Sequence, residues 1–219
     1  MIINTPEFIN AKFFMRDEPV TCDLPVINPS QVHGREIIIL DDDYNINNER
    51  PRADGIILRT HKLAASLRFA DCAPVLIFPE NNSGWAMILH SGFKGTCLNI
   101  SGHAVELVKD KKNENLHAWI GPCIGFNNYM RDFADEWTQK ALKIFHENNY
   151  KISGEKGEKV YFNLAGEIYT QLKNSGLASE NIIISNIDTF TNPECYSYRR
   201  GDINLRMTLL VSLTRFLYR

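Results

Sequence analysis

The sequence lacks the features that mark several broad classes of protein. Its five cysteines are an odd number, scattered singly with no C-x-x-C pair, which excludes a disulfide framework and a short-spaced zinc module. No apolar run approaches the roughly 20 residues of a membrane helix, and the N-terminal segment has no basic stretch followed by an apolar one. A formal net charge of −2 offers no basic excess for nucleic acid. These absences predict a cytoplasmic protein with no nucleic-acid or membrane partner. Both a monomer and a homodimer are compatible with the sequence.

The composition is that of an ordinary globular protein. Of the 219 residues, 44% are hydrophobic and 23% are charged, which is enough apolar material for a substantial core. No internal repeat and no Pro/Gly/Ser-rich linker divides the chain, so residues 1–219 are predicted to form a single domain. The most polar stretch, residues 41–54, is predicted to be a loop between two strands.

Short β-rich runs and helical periodicities predict an α+β domain with mixed β-sheets flanked by helices. Three helices are expected: one over 95–111, one over 131–147, and one from the N-cap residue Asn163 to Gly176. The second helix is expected to bury one stripe, made of Phe133, Trp137, Ala141, Ile144 and Phe145. About eight strands are expected, at 36–40, 55–59, 65–70, 74–78, 85–90, 117–120, 181–185 and 205–213.

Three places in the sequence carry residues suited to chemistry. His33 stands beside Gly34, Asp71-Cys72 stands where one strand stops and another begins, and His90 ends a strand before a glycine-bearing turn. Taken one at a time, a lone cysteine is more often a small hydrophobe and a lone histidine a satisfied polar residue. The remaining histidines are assigned to that second class: His61, His103, His117 and His146.

These three places belong to a set of six short motifs that follow one another along the chain. They are Gln31-Val32-His33-Gly34, Ala53-Asp54-Gly55, Ala70-Asp71-Cys72-Ala73-Pro74-Val75, His90-Ser91-Gly92-Phe93-Lys94-Gly95, Gly121-Pro122-Cys123-Ile124-Gly125 and Ser197-Tyr198-Arg199-Arg200. In order and spacing they resemble the signature of the YfiH, or laccase-domain (multicopper-oxidase-like), family, over residues 31 to about 210. The resemblance implies a fold similar to that of the cytotoxic-necrotizing-factor deamidases.

The resemblance also implies a metal site made of His33, Cys72 and His90. Two imidazoles and a thiolate leave the fourth tetrahedral position of a zinc ion open, as catalytic zinc sites require. Copper could bind the same nitrogen and sulfur atoms. The same three residues and Asp71 are then the catalytic candidates, with Asp71 either orienting substrate or simply capping a turn.

Members of this family are described as purine nucleoside enzymes, and the activity expected here follows from the resemblance alone. They phosphorolyse adenosine, inosine, guanosine and 5′-methylthioadenosine, and they deaminate adenosine. The expected partners are therefore a nucleoside and phosphate. The candidates for binding them are Gln31, Lys94, Arg199 and Arg200.

Two departures from the family pattern affect the choice of substrate. The usual Trp-Arg pair is Phe93-Lys94 here, which keeps the positive charge but loses the two-pronged guanidinium. Asn128-Tyr129-Met130 replaces a common Cys-Tyr-Glu, so a carboxylate that many relatives carry is missing.

Three alternative functions share the same residues. Cys72 could act as a nucleophile with His90 as its base, in a Cys–His hydrolase of the kind that edits peptidoglycan precursors. A copper polyphenol oxidase is the older label of the family, but laccase clusters need many more histidines than the six present. A binding module with a purely structural metal is the third alternative, and an open coordination position argues against it.

Overall fold

The computed structural model describes residues 1–81, 83–108, 115–155 and 157–214. Within these ranges it contains thirteen β-strands in three sheets and four α-helices, which confirms the expected α+β class. None of the helices in the described ranges is long and apolar enough to cross a membrane.

The strands and helices have the following bounds. The strands are β1 Ile9–Phe14, β2 Val26–Ile27, β3 Ile37–Leu40, β4 Gly55–Leu58, β5 Ala64–Phe69, β6 Ala73–Pro79, β7 Ala86–Ser91, β8 Leu116–Ile120, β9 Met130–Asp132, β10 Tyr150–Ser153, β11 Lys159–Phe162, β12 Ile182–Ile184 and β13 Met207–Leu213. The helices are α1 Phe93–Cys97, α2 Ile100–Glu106, α3 Glu136–Ala141 and α4 Leu164–Asn174.

A six-stranded sheet, in the order β12-β8-β6-β7-β4-β3, forms the middle of the molecule. Its central strands are apolar on both faces, because side chains alternate between two cores. Ile57 and Met87 pack with helices α2 and α4 on one face, whereas Ile56 and Ile88 pack on the other face. There they meet the four-stranded sheet β1-β13-β5-β2. Antiparallel pairing of β6 with β7 places the carboxyl end of β7 beside the start of β6.

A third, smaller sheet with the order β10-β11-β9 lies beside α1 and α3. An aromatic cluster joins these elements: Phe93 of α1 contacts Phe162 of β11, with ring centroids 4.9 Å apart, and Phe162 contacts Phe145 at 5.0 Å. Tyr129 also packs against Phe93, with ring centroids 5.6 Å apart. The sheet thereby brings β9 and the residue before it to the edge of α1.

The expected helix over 131–147 is wrong. Arg131 lies in β9, where it pairs with Val160 of β11, and the helix is only Glu136–Ala141. Asp135 caps it by accepting a hydrogen bond from the Thr138 amide. Of the expected stripe, Phe133 and Ile144 are exposed, at 37% and 43%. Strand pairing with a distant segment has overridden the local helical periodicity.

The other expected elements are largely confirmed. All eight expected strands are present within a residue or two at each end, and residues 41–54 form the loop between β3 and β4. α4 has Asn163 as its N-cap and Gly176 after its end, with a positive φ of 108°. The helix expected over 95–111 is divided at Asn99, which is left-handed and caps α2 with its side chain. Residues 109–111 of that prediction lie outside the described ranges.

Candidate metal centre and active site

Three side chains that could hold a metal ion meet beside the end of β7. Ligand atoms of His33, Cys72 and His90 all lie within 4.8 Å of one another. Pro74 pairs with His90 across β6 and β7, which places Cys72, just before β6, beside the end of β7. His33 reaches them from a loop in which its own backbone is left-handed, with φ 59°. The rings of His33 and His90 meet edge to face, with centroids 4.9 Å apart.

Asp54 holds two of these ligands in place. Its fully buried carboxylate accepts hydrogen bonds from the backbone amides of Val32, His33 and Gly34. The same carboxylate lies 2.8 Å from Nδ1 of His90. Burial alone would raise the pKa of Asp54. Hydrogen bonds from His90 and from the Gly34 amide outweigh this effect and keep the pKa below its usual value. His90 is thus left with Nε2 for a metal, the arrangement that fixes imidazole ligands in many metal sites.

Cys72 and His90 form a charged pair. Burial alone would raise the pKa of the Cys72 thiol, but the positive charge of His90 and hydrogen bonds from His33 and His90 lower it to about 6. Burial would likewise lower the pKa of His90, but the thiolate and Asp54 raise it to about 9. A thiolate is the form of cysteine that binds metals and attacks electrophiles.

Gly92 provides the space in which these ligands meet. A Cβ atom at this position would lie 2.8 Å from Sγ of Cys72 and 3.1 Å from the His33 ring. The backbone at Gly92 therefore approaches Cys72 and His33 so closely that only glycine, which has no side chain, fits at this position. With a soft thiolate, two imidazoles and an open side, the residues present fit a transition-metal ion.

The ligands lie in a cleft of about 730 Å³, within the usual range for small-molecule sites. Among the residues described, Asp71 is the one acidic side chain that lines it. Aromatic surface comes from Phe93, Tyr129 and Tyr198. The lining includes six cationic side chains, namely Arg50, Arg68, Lys94, Arg131, Arg199 and Arg206. The cleft is strongly cationic in a chain whose net charge is −2.

Asp71 and Arg199, two of the residues singled out in the sequence, are joined in the structure. The Asp71 carboxylate accepts hydrogen bonds from the Thr189 hydroxyl at 2.7 Å and from the backbone amide of Arg199 at 2.8 Å. Arg199 in turn donates to the carbonyl of Met130 and stacks over the Tyr129 ring. Asp71 thus fixes the segment that carries Arg199 into the cleft.

The other three candidates for substrate binding differ in their placement. Lys94 lines the cleft, and its Nζ lies 5.1 Å from the centre of the Trp137 ring. Gln31 also lines the cleft, but its amide group donates to the carbonyl and accepts from the amide of Arg68. Arg200 is not among the lining residues: its guanidinium binds carbonyls of residues 189–195 and Asp202.

Sequence reasoning assigned no role to several residues of the site. Asp54 stood in the Ala53-Asp54-Gly55 motif, so the signal was present, but its partner His90 is 36 residues away. Arg131 was not recognised as a candidate, because its segment was expected to be part of a helix. No local pattern distinguishes Arg50, Arg68 or Arg206 from other surface arginines.

The expectation that the other histidines are satisfied polar residues is wrong for two of them. Nδ1 of His61 and Nε2 of His117 are buried without a hydrogen-bond partner among the described residues. His117 stacks on Phe78 and lines a separate cavity of about 420 Å³, which shares no residue with the cleft. Neither histidine belongs to the metal-ligating group.

The sequence and the fold of this chain are similar to those of known proteins. The family model described as multi-copper polyphenol oxidoreductase laccase matches residues 10–214, and the chain belongs to this family. A purine nucleoside phosphorylase of Rickettsia conorii is 31% identical over 93% of this chain and 81% of its own length. One of Rickettsia prowazekii is 29% identical over 84% and 73%. A Bacillus licheniformis YfiH structure has the same fold, with a TM-score of 0.74 at 24% identity, covering 86% of this chain and 74% of its own.

Proposed function

We propose that this protein is a zinc-dependent purine nucleoside phosphorylase that also deaminates adenosine. The observation that carries the proposal is that His33, Cys72 and His90 lie together in a cationic cleft. This cleft is large enough for a nucleoside and phosphate. Relatives named purine nucleoside phosphorylases support the reaction class. The proposed substrates are adenosine, inosine, guanosine and 5′-methylthioadenosine, and the proposed location is the cytoplasm, which suits five unpaired cysteines.

Zinc is the metal we propose for the three ligands, with copper able to bind the same atoms. When bound, zinc supplies Lewis-acid chemistry, polarising oxygen atoms and lowering the pKa of water. Asp54 keeps His90 in the tautomer and orientation that a metal ligand needs. Copper oxidase chemistry on the laccase pattern is less well supported, because the described residues offer one group of three ligands rather than a trinuclear cluster.

Phosphorolysis needs a phosphate held against C1′ of the ribose. We assign its binding to Lys94, Arg131 and Arg199, and the support is that all three line the cleft. The phosphate oxygen bonds to C1′, the glycosidic bond breaks, and the proton of hydrogen phosphate ends on the purine. Asp71 acts on this step as a positioning residue through Arg199. Gln31 and Arg200 are likewise proposed to act as positioning residues, because their side chains hydrogen-bond to backbone groups of segments next to the cleft.

Deamination of adenosine uses water in place of phosphate. The water must be placed against C6 of the purine, and a nearby group must move protons between it and the leaving ammonia. Residues that only bind phosphate are not needed for this reaction. The two activities should therefore depend differently on the cationic side chains of the cleft.

A Cys–His hydrolase, such as one that edits peptidoglycan precursors, is the second candidate. The observation in its favour is that the Cys72 thiol and the His90 ring lie within 4.8 Å of each other. This proximity lowers the pKa of Cys72 and raises that of His90, which favours the ion pair in which cysteine nucleophiles act. Metal analysis separates the two schemes. About one zinc per chain in protein purified without added metal supports the first, and a metal-free protein with full activity supports the second.

The proposed function is tested by assaying adenosine, inosine and methylthioadenosine with and without phosphate and separating the products by chromatography. His33→Ala and His90→Ala should abolish turnover and bound metal together, whereas His103→Ala on α2 should retain both. Cys72→Ala should lose metal yet stay folded, because the cores do not depend on the ligands. Loss of turnover in His103→Ala equal to that in His90→Ala would contradict the ligand assignment.

A further inference from the structure

Two separate groups of cations face the cleft. The first, the aromatic wall, consists of Lys94, Arg131 and Arg199, which lie over the rings of Trp137, Phe93 and Tyr129 respectively. The second, the sheet wall, consists of Arg50, Arg68 and Arg206 and is built on the four-stranded sheet and the loop between β3 and β4.

Two arginines of the sheet wall, Arg68 and Arg206, lie at the same end of the four-stranded sheet, and Arg50 lies in the loop between β3 and β4. Arg68 of β5 pairs with Thr208 of β13, and Arg206 precedes Thr208 by two residues. Arg206 lies one residue before β13, close to Arg68 and within reach of a long side chain, and its guanidinium stacks over Tyr198 of the cleft lining. Two guanidinium groups so placed repel each other unless an anion lies between them.

The sheet wall is held in position by hydrogen bonds to the backbone. Nη1 of Arg206 donates to the carbonyls of Asp202, Ile203 and Leu205. Gln31 clamps the backbone of Arg68 at both its amide and its carbonyl. Arg50 is anchored on Asn28 and Pro29 through Nε and Nη2. Each guanidinium nevertheless keeps N–H groups that bind nothing among the described residues.

The charges of the sheet wall are also unbalanced. None of the ion pairs in the described ranges involves Arg50, Arg68 or Arg206, whereas Arg131 on the aromatic wall pairs with Asp135. Asp71, the one acidic side chain among the described residues of the lining, is engaged with Thr189 and the amide of Arg199. One inorganic phosphate on the aromatic wall leaves the sheet wall without an anion.

We propose that the sheet wall binds a phosphate carried by the substrate, so that the preferred substrate is a nucleoside monophosphate. Resting on the proposed function, this assigns one anion to each wall: inorganic phosphate to the aromatic wall and the substrate's 5′-phosphate to the sheet wall. The C1′–N bond breaks with its electron pair going to the purine. A phosphate oxygen bonds to C1′, and the proton of hydrogen phosphate passes to the purine. The products are the free base and ribose 1,5-bisphosphate.

The test compares AMP with adenosine as substrates of the metal-loaded protein at a fixed phosphate concentration. We expect a higher kcat/KM for AMP, with ribose 1,5-bisphosphate identified by mass spectrometry. Arg68→Ala should reduce the ratio of kcat/KM for AMP to that for adenosine by about tenfold or more. Arg59→Ala, which removes an exposed arginine outside the cleft, should leave that ratio unchanged.

Calorimetry of AMP and adenosine binding without phosphate separates the possible failures. Phosphorolysis of adenosine with no preference for AMP, or equal losses for both substrates in Arg68→Ala, overturns the assignment of the sheet wall and leaves the phosphorylase proposal intact. Tighter binding of AMP that depends on Arg68, without turnover of either compound, supports the anion site and overturns the phosphorylase proposal.

Discussion

At the scale of single residues, Cys72 differs from the other cysteines in both access and charge. It is half-buried and lines the cleft, whereas Cys97, Cys123 and Cys195 are buried. Burial raises the pKa of Cys97 and of Cys123 to about 12, while His90 brings that of Cys72 down to about 6. The chain therefore contains one cleft thiol that is ionised at neutral pH.

This difference predicts how the thiols react with iodoacetamide at pH 7. In metal-depleted protein Cys72 should be alkylated readily, and one equivalent of zinc should slow its reaction about tenfold or more, because a coordinated thiolate is no longer free. Peptide mass mapping gives the rates. The exposed Cys22 is an internal control whose rate should not change. Equal rates at Cys72 with and without zinc would contradict the metal site and favour the nucleophile scheme.

Lys94 stands where the family pattern has arginine. Its charge has no carboxylate partner within 4 Å in the described ranges, and Lys94→Ala should slow phosphorolysis roughly ten- to a hundredfold at limiting phosphate. Such a factor corresponds to about 1.5–3 kcal/mol for one charge-assisted contact. Deamination of adenosine should be affected less, since it consumes no phosphate.

Kinetics at several phosphate concentrations check this prediction, with Lys94→Arg as the matched variant. Arginine restores the two-pronged geometry and should retain or improve phosphorolysis. Equal losses of both activities in Lys94→Ala would show that Lys94 supports the fold or the metal site, and no loss would show that it is not involved.

At the scale of elements, the start of α1 is shaped around the ligands. Gly92→Ala would bring a methyl group within 2.8 Å of Sγ of Cys72, so we expect a large loss of metal affinity with the fold retained. Gly34→Ala is the control: its new Cβ would meet its nearest neighbours at 3.6 Å, an ordinary contact. Zinc titration against a chromophoric chelator measures both variants. Equal affinity in the two would show that the ligands can move aside.

The elements also show what the sequence can predict. The inner strands of the central sheet, β4, β6 and β7, are recognisable because both faces are buried, and α4 is recognisable because Asn163 and Gly176 mark its ends. These are local signals. The sheet of β9, β10 and β11 depends instead on pairing between segments about 30 residues apart, which overrode a helical pattern around Arg131. Asp135, the cap of α3, was a usable local signal that the periodicity obscured.

The site was predictable to a similar extent. The motifs point to His33, Cys72 and His90 through the family resemblance, and the structure brings these three side chains together. The cationic walls could not be predicted, because Arg68 and Arg206 become neighbours only through the pairing of β5 with β13. Charge placement in a cleft is a property of the assembled sheets rather than of any segment.

At the scale of the whole molecule, a nearly neutral protein concentrates positive charge in one cleft. The cleft should therefore attract anionic substrates. Salt screens this attraction, because the screening length falls from about 10 Å at 0.1 M ionic strength to about 3 Å at 1 M. We expect the KM for phosphate to rise several-fold between low and high concentrations of sodium chloride. The KM for adenosine, which is neutral, should change little. Steady-state kinetics over a salt series measure both, and parallel changes would contradict the electrostatic account.

The position of β13 affects how the molecule is made. It pairs with β1 on one side and β5 on the other, so residues 9–14 and 64–69 cannot be joined until residues 207–213 have left the ribosome. During synthesis both earlier strands present open edges, which favour association with other chains. Pairing across nearly the whole sequence is also slow. Since Arg206 directly precedes β13, the sheet wall of the cleft is completed among the last steps of folding, after the segments that carry the three ligands have emerged.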